Sequence, residues 1–538
     1  MLSRILNGQS KSVTGAAILI SCTALASRLV GLFRERMFAH HFRASEIMDA
    51  YYTAFKMPDM VYNLLIVGAI SAGFIPIFTK LMTKQNQESA WRLASNILNI
   101  LGSLVFLLTI LGIIYMPKLI PYLAPGFDQS TTQLAVSFGR IMFISMLLLS
   151  ISMIMGTILQ SLRSFLIFSI APIFYNVGII FGVVVLVPYF GIKALAWGVV
   201  LGALIHLIMQ TYGAYAQGYR WKPVFDFRDK ETLLVGKLMI PRTLSLAVSQ
   251  INIVIFTIMA SLLPVGSIAI FNYANNLQGV PTGIIGIPFA LAVFPVLSAA
   301  VAENDEKKFI KHLSISIRQV LFLVVPISLI FLLLRAQIVR VVLGSGAFTW
   351  SDTINTADTL AFFVLSLFAQ SLIPLFCRAF YALENTKTPF VIAIISELVT
   401  IIAALLLMKS LGVAGLALAF SIGAILNLFL LAGSLRGITG SFEEHKLFSS
   451  FWRIAFAGLV MASVVQYLKY PLALQFDQNY FIGIFLQGLI AGVVGLFVYC
   501  FICYLLRVPE FLQFKDSFKR KWLRLRKVEI KESVDLKN

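Results

Sequence analysis

Charge is scarce in this chain: only 12% of its 538 residues are Asp, Glu, Lys or Arg, against about 25% in ordinary soluble domains. So few ionic side chains cannot cover a water-soluble globule of this length. A soluble enzyme, a disordered chain and a nucleic-acid-binding domain in water are thereby excluded. Cysteine is sparse too. Its four copies, Cys22, Cys377, Cys500 and Cys503, fall in or beside apolar stretches. The C-x-x-C of Cys500 and Cys503 lies inside one of them without a second ligand pair, so it reads as packing rather than as a metal or redox centre. No Walker loop, H-E-x-x-H or G-x-S-x-G stands in a catalytic context. Neither enzyme chemistry nor a cofactor or metal is expected. No small-residue cleavage site follows an isolated short apolar core, and the first apolar stretch reads as a retained helix.

What the chain has in abundance is apolar length: 59% of residues are hydrophobic and the mean hydropathy is +0.89. A bilayer-spanning helix takes about 20 apolar residues, and apolar windows broken by charge, Gly or Pro predict fourteen of them. They cover about 13–38, 48–81, 93–115, 133–160, 164–187, 191–216, 232–263, 267–301, 309–334, 357–382, 389–408, 412–435, 448–468 and 480–506. The predicted fold is all-α, a polytopic membrane protein with both termini on one side. With the N-terminus inside, the inner segments carry 30 Lys/Arg and the outer segments 7 (Arg43, Lys118, Lys193, Arg335, Arg340, Lys409, Lys469). Bias of this size sets orientation, and both termini are expected in the cytoplasm. Residues 507–538 form a basic tail, with Lys519, Arg520, Lys521, Arg524, Arg526 and Lys527 around Trp522 and Leu523. It suits an anionic membrane surface or a plain positive-inside stop, and it gives no reason to invoke nucleic acid.

An internal repeat is also visible. Gly191–Gln210 aligns without gaps to Gly412–Leu431, with His206 facing Asn427, and the short inner turns near Arg163 and Asn385 fit the same scheme. Segments six spans apart share an orientation, so the repeat is parallel. The predicted organisation is a six-helix lobe at 1–217, a second at 218–437, two additional transmembrane helices at 438–506 and the tail at 507–538. Duplicated lobes of this kind build alternating-access transporters.

Candidate site residues follow from polar groups at membrane depth. Arg28 lies about fifteen residues into the first span, where an arginine costs about 2.5–3.5 kcal/mol on insertion scales; it should face a protein interior or a wet cavity. Glu35 falls about 20° from Arg28 on a helical wheel, so the two can share a face, and Arg34 is a further anion-site candidate. The second span (Asp49 to Asp59, then Gly68, Gly73 and Pro76) and the eighth (Asn272, Asn275, Asn276, Pro281, Pro288, Pro295) are too interrupted for straight helices. Helices of this kind bend around cavities or simply kink for packing. Arg242, behind Pro241 in the seventh span, is another basic candidate. Glu397, well inside the eleventh, is a candidate for ion coupling or for a polar interhelical contact. His206 reads as a satisfied packing histidine.

These residues carry a resemblance. Ser27-Arg28-Leu29-Val30-Gly31-Leu32-Phe33-Arg34-Glu35, Asp49-Ala50-Tyr51 with Phe55-Lys56-Met57-Pro58, Phe74-Ile75-Pro76, Ala124-Pro125-Gly126-Phe127, Val248-Ser249-Gln250-Ile251-Asn252, Gly346-Ala347-Phe348-Thr349, and Arg378-Ala379-Phe380-Tyr381 with Thr386-Lys387-Thr388-Pro389 run in order along the chain. Together they resemble the MurJ (MviN) family of lipid II flippases, within the wider multidrug/oligosaccharidyl-lipid/polysaccharide exporter group. The resemblance implies fourteen spans and transfer of undecaprenyl-pyrophosphate-linked disaccharide-pentapeptide across the bacterial inner membrane for peptidoglycan synthesis. It implies a cavity between two lobes in which arginines hold the pyrophosphate, and a groove along the last two helices for the lipid tail. Membrane lipids and cell-wall synthesis proteins are the partners it suggests. Arg28 and Arg34 match two such arginines and Asp49 a family acid; Asn276 and Arg242 complete the expected substrate-binding set, with Glu397 for coupling. Where the family usually has a basic residue in the second span this chain has Tyr62-Asn63, and where the eighth usually carries Asp-Arg it has Asn275-Asn276. A flippase for another polyprenyl-linked glycan, a multidrug-type antiporter and a non-transporting scaffold stand as alternatives.

Overall fold

In a computed structural model, residues 13–83 and 86–516 are described, without the side chains of 13–18, 67–69, 71–72, 241–242, 244–246 and 248–249. The basic run from Lys519 to Lys527 lies outside the described residues. Most of those described are helical, with no strand among them. In chain order the helices are α1 (Val13–Phe42), α2 (Glu46–Tyr62), a π-helical turn (Asn63–Val67), α3 (Gly68–Thr83), α4 (Gln87–Leu123), α5 (Gln129–Ser161), α6 (Phe165–Phe181), a second π-turn (Gly182–Leu186), α7 (Val187–Phe190) and α8 (Ala194–Ala216). There follow α9 (Lys230–Ser261), α10 (Ser267–Ile284), α11 (Gly286–Ala302), α12 (Glu306–Leu333), α13 (Arg335–Val342), α14 (Trp350–Val364), α15 (Leu367–Ala382), α16 (Lys387–Thr439), α17 (Glu444–Gln475) and α18 (Phe481–Leu505). Among the described residues nine helices or continuous helix pairs are long and apolar enough to cross a bilayer, and α14 with α15, bent by 43°, makes a tenth. All fourteen apolar windows fall on helix, two of them on α16, which is broken at Gly412 (φ 58°).

Contact divides the chain into two compact units. The first is Met1–Asn276 with Val342–Thr356 and Ala404–Leu416; the second is Leu277–Val341 with Ala357–Ala403 and Ala417–Asn538. This border differs from the duplication border expected at 217/218, because α9 packs on α3 and clusters with the first unit. In that unit α5 packs on α2, α4 and α8, and α6 packs on α1 and α8. Side-chain oxygens cap the starts of α4, α5 and α9: Asn86 accepts from the Ser89 amide, Asp128 from Thr131 and Asp229 from Thr232. The exposed Asp128 carboxyl also accepts from the Ser130 hydroxyl, and these bonds hold its pKa down at about 2. Pro58 interrupts α2, and at the π-turn after it the Leu64 carbonyl accepts from the Thr243 hydroxyl of α9 at 3.0 Å. A carbonyl bonded from outside its own helix is how a broken helix survives in a bilayer.

The α6–α8 contact rests on two small-xxx-small pairs. Gly178 and Gly182 face Gly198 and Gly202, and a Cβ at any of the four would overlap the partner helix's backbone. Apolar side chains gain nothing by leaving lipid for each other, so such close backbone packing holds the helices together. Gly202→Val should lower stability toward the upper end of the ~1–3 kcal/mol typical of overpacking, because the obstructing atoms are backbone. Thermal unfolding of the detergent-purified protein measures this. Gly102→Val, at a position with nothing within 4 Å, should leave the midpoint unchanged.

The repeat extends further than the aligned twenty residues. At an offset of 221, Gly191 (φ 74°) and Gly412 (φ 58°) both take left-handed backbone, as do Arg163 and Glu384, each at φ 59°. The turns at Arg163 and Glu384 close with the same hydrogen bonds: Ser164 N to Leu159 O at 2.9 Å in one, Asn385 N to Phe380 O at 3.0 Å in the other. Helices α5 and α14 begin at the same offset, at Gln129 and Trp350. Gly202 packs on the Tyr175 carbonyl and Gly423 on the equivalent Ser396 carbonyl. Sequence identity is low, but the backbone punctuation is duplicated.

In the second unit α11, α12, α15 and the end of α16 enclose a core of Leu297, Leu313, Val320, Leu375, Phe376, Phe380 and Leu431. A smaller cluster ties α17 and α18 to α12, with Cys503 buried in it and Cys500 packed against it. At its end, Arg318 on α12 forms an ion pair with Glu510 at 3.2 Å, and Ser450 of α17 donates to the other Glu510 oxygen at 2.7 Å. The four cysteines are free thiols.

Candidate functional site

Charge enters the interior of the first unit on α1. Arg34 donates from Nη1 to Oδ1 of Asn176 on α6 at 3.0 Å and from Nη2 to Oε1 of Glu35. Its guanidinium also lies 5.6 Å from the centre of the Phe38 ring. The Asn176 amide donates back to the Pro172 carbonyl at 2.9 Å, which turns its oxygen toward the arginine. Glu35, with a side chain only 3% exposed, accepts at its second oxygen from the Tyr52 hydroxyl at 2.5 Å. The Arg34 Nε–H is buried without a hydrogen-bond partner. One donor of a charge-neutralised guanidinium is thus left unbonded.

Arg34 borders a cavity of about 280 Å³, together with Phe55, Pro58, Asp59 and Tyr62 of α2, Ser145, Met146 and Leu149 of α5, Pro172 and Tyr175 of α6, and His206 of α8. Phe55, Asp59 and Tyr62 are spaced i, i+4, i+7, which puts them on one face of α2. His206 Nδ1 shares a hydrogen with Ser152 Oγ at 2.6 Å, so one ring nitrogen is anchored inside the helix pair. Beyond the cavity lining, Lys56 donates to Asn272 of α10 at 3.3 Å.

The other sequence-predicted residues fall elsewhere. Arg28, almost two turns before Arg34, is exposed on α1 and does not border this cavity. The wheel puts Glu35 on the same face, and its carboxylate accepts from Arg34 and Tyr52. Asp49 is 4% exposed and caps α10: Oδ2 accepts from the Gly266 amide at 2.6 Å and Oδ1 from the Ala269 amide at 2.8 Å. Asn276 is half-buried on α10, and Glu397 is half-buried on α16 within the second unit. The Arg242 side chain lies outside those described. Residues that sequence reasoning left without a role here are Asp59, Tyr62, Tyr175 and Asn176. For the first two the signal was present in the α2 spacing; Tyr175 and Asn176 reach the site only through packing of α6 on α1.

A family model described as "Lipid II flippase MurJ" matches residues 38–490. The chain belongs to this family. It is 30% identical over 487 residues to a probable lipid II flippase MurJ of Buchnera aphidicola subsp. Acyrthosiphon pisum, covering 89% of this chain and 94% of that protein. To the lipid II flippase MurJ of Burkholderia cenocepacia it is 28% identical over 471 residues, covering 86% and 90%. A solved lipid II flippase MurJ in an inward closed conformation superposes with a TM-score of 0.75 at 27% identity, over 91% of this chain and 98% of that one. An inward-facing MATE multidrug resistance transporter of the MOP superfamily shares the fold, at TM-score 0.63 and 15% identity, over 78% and 96%. The MurJ match begins at Phe38, so Arg34 and Glu35 lie just before it, while α2, α5, α6 and α8 lie within it.

Proposed function

We propose that this chain moves lipid II, the undecaprenyl-pyrophosphate-linked peptidoglycan precursor, from the inner to the outer leaflet of a bacterial cytoplasmic membrane. The observation that carries the reading is the MurJ family match over 38–490, and the Arg34-bordered cavity inside the first unit supports it. Movement is by alternating access of two six-helix lobes, 1–217 and 218–437, with 438–506 as two added helices, fourteen crossings and both termini cytoplasmic. No covalent step is involved. Arg34 takes the pyrophosphate first, since it combines burial with a free donor. Arg28, Arg242 and Asn276 line the path the headgroup follows, and Asp49 acts by holding the end of α10. Glu397 is the proposed ion-coupling carboxylate. Membrane lipids surround the protein, and cell-wall synthesis proteins are its proposed partners.

The test is complementation. In a strain depleted of its own lipid II flippase, expression of this chain should restore growth and restore accessibility of labelled lipid II to a probe outside the membrane. Normal membrane levels without externally accessible lipid II would overturn the reading and favour another polyprenyl-linked glycan or a multidrug-type substrate.

A further inference from the structure

The cavity beside Arg34 is poorly suited to a second phosphate. Apart from Arg34, which is committed to the first, its lining holds no Lys or Arg, and it contains the acidic side chain of Asp59. What it presents instead is three aromatic rings, Phe55, Tyr62 and Tyr175, with the Asp59 side chain and the His206 ring. Aromatic faces carry negative potential and attract the polarised C–H face of a sugar ring, while an ionised carboxylate accepts two hydroxyl or amide hydrogens at once. The volume of about 280 Å³ lies at the lower bound of the ~300–1,000 Å³ of small-ligand sites. One pyranose ring fits; a disaccharide-pentapeptide does not.

We infer that this cavity is a sugar subsite: Tyr62 and Tyr175 stack against one hexosamine of the headgroup, Asp59 accepts its hydroxyl or amide hydrogens, and Arg34 holds the adjoining phosphate. The inference rests on the lipid II reading above and deepens it. It also gives a reason for Tyr62 at a place where family resemblance leads one to expect a basic residue. There the chain trades charge for a stacking face. Asn63, the first residue of the π-turn and four residues after Asp59, hydrogen-bonds to the Asp59 side chain.

The experiment compares two lipids that differ only in the sugar-peptide. Full-length protein in nanodiscs is titrated with lipid II and with undecaprenyl pyrophosphate. The wild type should prefer lipid II by about tenfold, what a stacked ring and one or two hydrogen bonds supply. Tyr62→Leu and Asp59→Asn should each erase most of that preference without weakening undecaprenyl pyrophosphate binding, which Asp59→Asn, by removing a negative charge near Arg34, should if anything strengthen; Tyr62→Phe, which keeps the ring, should retain the preference. Thermal unfolding identifies any variant that fails to fold, and the near-isosteric Asp59→Asn and Tyr62→Phe then decide. Equal wild-type affinity for both lipids, or a preference untouched in Asp59→Asn and Tyr62→Leu, overturns the sugar subsite and leaves the flippase reading standing. Failure of the wild type to bind either lipid overturns both.

Discussion

Replacing Asp49 by alanine should destabilise the protein by about 2–4 kcal/mol, and thermal unfolding in detergent should show a drop of several degrees with reduced membrane abundance. Both carboxylate oxygens bond backbone amides at the head of α10, 2.6 Å from Gly266 N and 2.8 Å from Ala269 N. Those amides belong to the first turn of a helix, where N–H groups have no intrahelical acceptor. Losing an N-cap costs about 0.5–2 kcal/mol in water, and a charge-assisted hydrogen bond about 1.5–3. Burial removes the water that would otherwise replace it. The residue is also sterically committed, since a Cβ at Gly266 (φ 88°) would meet the Ala44 carbonyl at 2.5 Å, so α10 begins hard against the α1–α2 connection. Asp49→Asn keeps an acceptor oxygen and should fall between wild type and alanine. An Asp49→Ala protein that melts with wild type would remove the capping role and return Asp49 to direct substrate contact.

The Asp49 contact also marks the limit of what the sequence could reveal. The membrane-length helical segments were legible because an apolar run announces them, and all fourteen windows land on helix, whereas the short polar α13 (Arg335–Val342) lies in none of them. The repeat was legible where glycine is demanded by backbone geometry, as at Gly191 and Gly412, both with positive φ. The π-turn after α2 was legible only as an interruption, since Pro58 and Gly68 announce a break but not which way the chain compensates. Asp49 is separated from its amides by more than two hundred residues, and no local pattern encodes such a contact. For Glu35, the wheel gives the direction of Cβ, whereas arginine and glutamate are long enough for chain neighbours to meet, and Glu35 pairs with Arg34. The cavity was half legible: the α2 spacing of Phe55, Asp59 and Tyr62 marks one face, but what that face meets depends on how α5, α6 and α8 pack.

Arg34→Ala should abolish lipid II export, but the single variant confounds two effects. Glu35 is nearly fully buried, and stripping a buried carboxylate of its partner costs about 3–5 kcal/mol, so lost export alone would not separate binding from folding. The double variant Arg34→Ala/Glu35→Gln separates them. It removes both charges, and the glutamine oxygen can still accept from Tyr52, whose hydroxyl lies 2.5 Å from Glu35 in the wild type. Stability and membrane abundance should recover most of the way. Export should not, because the guanidinium that donates to the pyrophosphate is gone. One charge-assisted hydrogen bond is worth about 1.5–3 kcal/mol, or roughly tenfold to more than a hundredfold in affinity. Arg34→Lys keeps the charge but loses the planar fork that holds Asn176 and Glu35 together with a further donor, and it should retain partial export. If the double variant recovered export along with stability, Arg34 would serve only to neutralise Glu35, and the anion would have to be held elsewhere, with Arg28 the first place to look.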